Sequence, residues 1–309
     1  MADEFVSQTL REIAAEKASK RPQLVDWLLE DAPILDMLKW IPATHGLWNV
    51  DEVLSDVQGA QFVDLDAPLP EMSVSTGLQT HWVSVMGGYM TVGEDKADQF
   101  GGKERYFAKR ESKVIRKSGM DTERAIFNDF WRKAALKNAI KLGGTGNNLS
   151  TILIVRFDDS MNTGIYDPTQ FNSGRLLNWK PINGGNLYGI RSDKDGKQVL
   201  GYGVRAKGRF GWQLMEPDRV VKAIVNVDKD NMPTLDQIYD AIDDVRGKPS
   251  NTFIFGNSRV LRQVFSKIKE DKVQYANSDS SIKTLIGDID GFRIVGSHNV
   301  SDRNEKAVS

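Results

Sequence analysis

With 309 residues, 40% apolar and 27% charged, the chain has ordinary globular composition and the length of about two domains. A formal net charge of -1 gives no global basic field, so any contact with a polyanion is local, and the absence of cysteine excludes disulfides, thiolate metal sites and a thiol nucleophile. The N-terminus lacks the apolar core of a signal peptide, and no run approaches the ~18 apolar residues that span a bilayer, so the chain reads as soluble and cytoplasmic at birth.

Residues 7–40 predict two or three short helices. Leu10, Ile13 and Ala14, then Leu24, Trp27 and Leu28, then Leu35 and Leu38 fall at helical spacing, with Pro22 and Pro33 as punctuation. Short amphipathic helices broken by prolines bury their apolar stripes poorly against one another, so this arm needs a surface, either of its own chain or of another. GLWNVDEVLSDV (46–57) and LQTHWVSVMGGYMTV (78–92) carry Val, Trp, Leu and Tyr at strand spacing and predict a long β-hairpin. Its connection, 58–77, holds Pro68 and Pro70 among Asp64, Asp66 and Glu71 and far exceeds the usual hairpin loop of about 2–5 residues. A two-stranded ribbon is marginal alone in water, so the hairpin requires a neighbour.

KERYFAKRESKVIRK (103–117) has seven Lys or Arg against two Glu, with Phe107, Val114 and Ile115 on a narrow apolar stripe. This is a basic amphipathic helix; a solvated face is the default for such a run, and an acidic protein partner or DNA backbone are the alternatives. A second helical run has Asp121 or Thr122 placed as cap and Ile126, Phe127, Phe130, Trp131 and Ala134 repeating, so the two runs form either one long bent helix or two. GGTGNN (143–148) lacks the Lys-Ser/Thr of a nucleotide loop and follows a helix rather than a strand, which makes it a connector.

Beyond it the pattern turns α/β. TILIVRF (151–157), VVKAIVNV (220–227), TFIF (252–255) and FRIVG (292–296) predict strands. Residues 234–246, with Thr234 as cap, and 257–271, with Leu261, Val264, Phe265 and Ile268 on one face, predict helices. Residues 185–214 place Asp195-Gly196 at a tight hairpin turn ahead of a strand carrying Gly201, Gly203, Gly208 and Gly211. Asp193, Asp195 and Gly196 match only a fragment of a calcium loop, so the turn reading is preferred.

The catalytic inventory is thin. His45, His81 and His298 are scattered without metal-ligand spacing, and the adjacent pairs Asp158-Asp159 and Asp243-Asp244 diverge on any regular element. Ser258 in GNSRV lacks the second glycine of a nucleophile elbow and is placed as a helix cap. No catalytic residue, cofactor or metal ligand is assigned.

In order, the runs PILDMLKWIPATHGLWNVDE, FVDLDAPLPEMSVST, GGYMTVGEDKADQFGG, YFAKRESKVIRKSGMDTERAI, PINGGNLYG and KGRFGWQL resemble those of major capsid proteins of tailed bacteriophages, in the short-tailed branch. That fold is shared with encapsulin shells, and the resemblance covers nearly the whole chain. It implies an α+β fold with an N-terminal arm (1–45), an extended β-hairpin loop (46–93) and the spine helix of a peripheral domain (94–150). A mainly axial domain with the glycine-rich hairpin (151–232) and the remaining axial and peripheral elements (233–309) would follow.

The implied function is that of a structural subunit, not an enzyme, which forms the hexamers and pentamers of an icosahedral head enclosing double-stranded DNA. An encapsulin-like compartment and an α/β enzyme are the alternatives. Many relatives carry a ~100-residue helical scaffolding segment ahead of the arm; here the arm starts almost at Met1, so a separate scaffolding protein or none is expected. A portal, a possible decoration protein and DNA held without sequence specificity are the other implied partners, with no membrane; assembly in the host cytoplasm would place the chain in the virion. Trp48, Phe62, Asp64, Leu65, Asp66, Leu69, Glu71 and Trp82 are the expected inter-subunit contacts of the extended loop. Lys103, Arg105, Lys109, Arg110 and Lys113 are expected to face a neighbouring subunit or the interior, with the acids of the loop tip meeting basic residues of the spine.

Overall fold

The computed structural model describes residues 8–17, 27–60, 62, 71–169, 178–191, 196–268, 273–275, 285–300 and 304–308. The chain enters through β1 (Gln8–Thr9) and α1 (Leu10–Lys17), passes α2 (Pro33–Met37) and β2 (Lys39–Pro42), and then runs three long strands, β3 (Trp48–Gln58), β4 (Ser73–Trp82) and β5 (Ser84–Gly93). Helices α3 (Glu94–Gln99) and α4 (Lys103–Ala125) lead to β6 (Ile140–Lys141), β7 (Ser150–Arg156), β8 (Asn162–Tyr166), β9 (Asn178–Pro181), β10 (Tyr188–Arg191) and the 17-residue β11 (Gln198–Leu214). The remainder alternates as α5 (Pro217–Val220), β12 (Val221–Val227), α6 (Leu235–Asp244), β13 (Thr252–Asn257), α7 (Ser258–Lys267), β14 (Val273–Tyr275), β15 (Leu285–Ile289) and β16 (Phe292–Ser297).

The predicted α/β strands form one sheet in the order β14-β15-β16-β13-β7-β12-β6. Its central strands are buried on both faces, which is why they read as near-continuous apolar runs rather than alternating ones. Side-chain alternation sends Leu153, Val155, Phe253, Phe255 and Val225 into one core and Ile152, Ile154 and Ile224 into another. The second core is closed by Ile238 and Ile242 of α6 and by Leu261, Val264 and Phe265 of α7. Thr234 caps α6 in a reciprocal box with Gln237 as expected, but the cap of α7 is Asn257, whose side chain accepts from the Arg259 N–H. Ser258, expected as that cap, is instead the buried first residue of the helix.

The first core is closed by α4 and by the N-terminal elements. Leu10, Ile13, Leu28, Leu29, Ile34, Leu35 and Leu38 are buried there beside Ile115, Phe127 and Trp131, so the arm finds its surface on its own chain. Contact is direct at Gly119, where a Cβ would stand 1.9 Å from the Leu28 carbonyl oxygen.

The two helical runs form one element. Residues 118–120 stay helical, Thr122 is internal, its hydroxyl donating to the Ser118 carbonyl, and neither it nor Asp121 caps anything. Beyond Ala125 the helix widens into π turns over Ile126–Arg132. The buried positions explain the widening: Ile115, Gly119, Glu123, Phe127 and Trp131 recur every four residues. In an α-helix each such step drifts about 40° around the axis, so the four steps leave one face unless the helix unwinds locally. Val114, placed on the apolar stripe by sequence, is exposed, and Tyr106 is buried in its stead.

The second seven-stranded sheet is organised by β11. It pairs antiparallel with β5 from Gly201↔Gly93 to Phe210↔Ser84, with β8 at its C-terminal end, and with β10 and β9. The β10–β11 pairing bears out the hairpin across 192–197; Gly196 has φ +68, while Asp193 and Asp195 lie outside the described residues. β2 joins through β8, and β1 through β2.

β3 and β4 form a third, two-stranded sheet, from Trp48↔Trp82 to Gln58↔Ser73. The expected hairpin is thus corrected in its second strand, which is Ser73–Trp82 rather than 78–92, and its connection shortens to 59–72. At Val83, whose N–H donates to the Leu47 carbonyl, the chain leaves the ribbon, and 84–93 join β11 instead. Strand-like composition runs unbroken across this change of partner, so spacing alone could not reveal it.

Candidate functional site

At about 3.4 Å per residue, the ten or eleven residues of β3 and β4 make a ribbon on the order of 35 Å long. Along β4, Val74, Thr76, Leu78, Thr80 and Trp82 lie on one face, with Glu52, Val50 and Trp48 of β3 as the register partners of Leu78, Thr80 and Trp82. The other face carries Ser73, Ser75, Gln79 and His81 of β4 with Asn49 and Asp51 of β3. The ribbon is amphipathic, yet Val74, Leu78 and Trp82 are exposed, as are Leu47, Met72 and Phe62 at its ends. Val74, Leu78 and Trp82 thus leave a row of apolar side chains in water along this face.

The base is held firmly. Asn49 is buried, with Nδ2 donating to Gln213 Oε1 of β11 at 2.6 Å and to Asp51 Oδ2 at 3.1 Å, while the Thr44 hydroxyl donates to its Oδ1. His45 stacks on Trp48 with centroids 3.9 Å apart, and Trp48 lies 6.3 Å from Trp82. Burial holds the His81 imidazole below its usual value, opposed by the nearby Asp51 charge. At Gly211 a Cβ would meet the Trp82 carbonyl oxygen at 2.6 Å, so β11 accepts the ribbon base only through a glycine.

Between α4 and the β5–β11 pair lies a groove of about 730 Å³. Its walls are mainly apolar: Val85, Met86, Tyr89 and Met90 from β5, Val114, Ile126 and Phe130 from the long helix, and Trp179 and Phe210 from the sheet. Val85, Tyr89, Val114 and Phe130 are exposed at its surface, which accounts for the misplaced Val114. One chain therefore carries both an unpartnered apolar ribbon and an unpartnered apolar groove.

The basic helix divides by use. Lys103 is committed within the chain, its ammonium donating to the Gly185 carbonyl at 2.5 Å and lying 5.0 Å from the Tyr202 ring. Arg110 stacks 3.6 Å over Tyr106 and donates to the Tyr106 carbonyl. Arg116 pairs with Glu30, and Lys117 with Asp121. Arg105, Lys109 and Lys113 remain exposed. Of the predicted ribbon contacts, Trp48 is half-buried and Trp82, Phe62 and Glu71 are exposed, whereas Asp64, Leu65, Asp66 and Leu69 lie outside the described residues.

Sequence reading missed one junction. Glu123 is fully buried in the long helix, one Oε accepting from the backbone N–H of Ile34 at 3.0 Å and Leu35 at 3.5 Å, the other from the Ser297 hydroxyl and from Asn299 Nδ2 at 3.2 Å. Burial pushes its carboxyl up to about 7 even though all four donors favour the ionised form. An acid recurring in register with buried Ile115, Gly119 and Phe127 was the available signal.

No family model matches this chain, and no curated protein matches it by sequence. Among solved structures, a chain of the bacteriophage JBD30 capsid aligns with a TM-score of 0.52 and 11% identity, over 93% of this chain and 97% of that one. A chain of the bacteriophage epsilon15 structure aligns with a TM-score of 0.51 and 14% identity, over 88% of each. The chain has the fold of a phage capsid protein. Within this capsid fold the arm, the long helix and strands of both large sheets contribute to the two large cores, and among the described residues the ribbon contributes to neither.

Proposed function

We propose that the chain is a phage major capsid protein, a structural subunit whose hexamers and pentamers close into an icosahedral head around double-stranded DNA. The observation that carries this reading is the amphipathic ribbon, anchored rigidly at its base and left without a partner along its apolar face. In a closed shell every subunit repeats the same contacts, so moderate interfaces sum to a stable particle while each stays weak enough to correct errors. The apolar groove beside the long helix supports the same reading, because a ribbon of this kind fits a neighbouring subunit better than water.

Strength and register come from different groups. Burying Val74, Leu78 or Trp82 against a neighbour is worth roughly 1.5–3 kcal/mol each, whereas exposed ion pairs contribute at most about 1 kcal/mol. The tip acids Asp64, Asp66 and Glu71 are proposed to meet Arg105, Lys109 or Lys113 of an adjacent subunit and to set register. Lys103 and Arg110, already engaged within the chain, are weaker candidates. A portal and DNA bound without sequence specificity complete the proposed set of partners.

Light scattering on size-separated protein tests this. The full chain is expected as megadalton particles or uniform capsomers, and the double variant Leu78→Ser, Trp82→Ser as a folded monomer, since both side chains are exposed in the subunit. A double variant that assembles like the parent would overturn the role given to the ribbon.

A further inference from the structure

A second, polar pocket of about 470 Å³ opens between the end of the long helix and the chain beyond β16. Arg124, Asn128 and Arg132 occupy successive turns on one side, and His298 and Lys306 lie on the other. The arginines are held in place by neutral groups. Arg124 donates through Nε to the Asn299 carbonyl at 2.9 Å, and Asn299 is itself tied by Nδ2 to the Asp31 carbonyl and to Glu123. Arg132 donates through Nε to Thr151 Oγ1 at 3.0 Å.

Charge in this pocket is not balanced. Its lone carboxylate among the described lining, Glu305, already receives Arg132 at 3.2 Å and the Thr151 hydroxyl at 2.5 Å. With Arg132 paired to it, the cations of Arg124 and Lys306 are left in excess among the described lining. Residues 301–303, Ser-Asp-Arg, lie outside the described residues. A run of surface cations is ordinarily only solvated. Here the cations converge on a concavity, two of them oriented through Nε; Arg132 also commits Nη2 to Glu305, while the Arg124 contact through Nε does not use its terminal N–H groups. Guanidinium groups donate to carboxylate and phosphate oxygens alike, and phosphate brings more charge and more acceptor oxygens to several converging cations than a carboxylate does.

We infer that this pocket binds a phosphate group. The inference stands apart from the shell reading, since it concerns the single chain. The phosphate comes either from the free anion or from the phosphodiester backbone of DNA, and the two are separable. Phosphorus NMR of inorganic phosphate with the purified full chain at low salt is expected to show line broadening that sulfate reverses and acetate at equal ionic strength does not. The double variant Arg124→Gln, Lys306→Gln, whose side chains are exposed, is expected to weaken phosphate binding on the order of tenfold with an unchanged melting temperature. Absent broadening with the wild-type chain, or equal broadening with a folded variant, overturns the inference; if the variant does not fold, the sulfate and acetate comparison decides. A short DNA duplex then assigns the source. Displacement of phosphate by the duplex, with a salt dependence of duplex binding that falls by about one in slope in the variant, identifies the DNA backbone. Phosphate binding with equal duplex affinity for both proteins identifies the free anion.

Discussion

Glu123 joins three parts of the chain through one carboxylate: α2 by two backbone N–H groups, the end of β16 by Ser297, and the segment beyond it by Asn299. Its value is raised from 4.5 to about 7, so the unfolded chain gives up this proton at lower pH than the folded one does. The stabilisation is therefore full below about pH 4.5 and lost as pH rises through about 7, with a ceiling of roughly 3 kcal/mol. Denaturant melts between pH 5 and pH 8 are expected to show wild-type stability falling while Glu123→Gln stays flat across the window; parallel curves would remove Glu123 as the cause. Gly119 is constrained by space. Gly119→Ala drives a methyl into the Leu28 carbonyl and is expected to cost about 1–3 kcal/mol, with faster hydrogen exchange in 28–38 as the arm lifts. A variant of wild-type stability and protection would show that the arm relaxes at no cost.

Elements were legible in the sequence wherever one side-chain period matched one partner. TILIVRF, VVKAIVNV, TFIF and FRIVG became β7, β12, β13 and β16 because strands buried on both faces announce themselves by apolar content alone. Spacing failed where a pattern outlived its partner: Thr80 to Met86 reads as one strand, yet the chain changes sheets at Val83. It failed again in the long helix, where Asp121 or Thr122 looked like a cap and one bent helix or two stayed open, whereas the helix runs on through both and widens into π turns. Of the residues expected to contact a neighbour, Trp82, Phe62, Arg105, Lys109 and Lys113 are exposed in the subunit. The groove was not legible in the sequence, because its walls come from residues separated by up to about 170 positions. The ribbon itself is separable from the cores. Replacing residues 50–80 by a short turn is expected to leave the melting temperature within a few degrees of wild type while abolishing assembly. A large loss of stability would mean that the ribbon belongs to the core of the subunit.

At the scale of the whole molecule, stability and association draw on different surfaces. The two large cores close within the chain, including the arm that could have required a neighbour, so a folded subunit can exist before assembly. What remains open is the apolar face of the ribbon, the groove beside the long helix and the outward cations Arg105, Lys109 and Lys113. Such a division suits a subunit that must stay soluble until many copies meet, because each exposed patch is modest alone and repeated in a closed particle. Reversing the proposed register charges, Asp64→Lys with Asp66→Lys, is expected to slow or misdirect assembly with little effect on the stability of the free subunit. Normal shells from that variant, seen by electron microscopy, would remove the tip acids from the interface.

The most direct measurement is negative-stain electron microscopy of the chain expressed alone and together with the genes that neighbour its own. Uniform polyhedral shells in either preparation are the predicted result, and the comparison shows whether scaffolding must be supplied. Small discrete oligomers in both would contradict a capsid role for this fold.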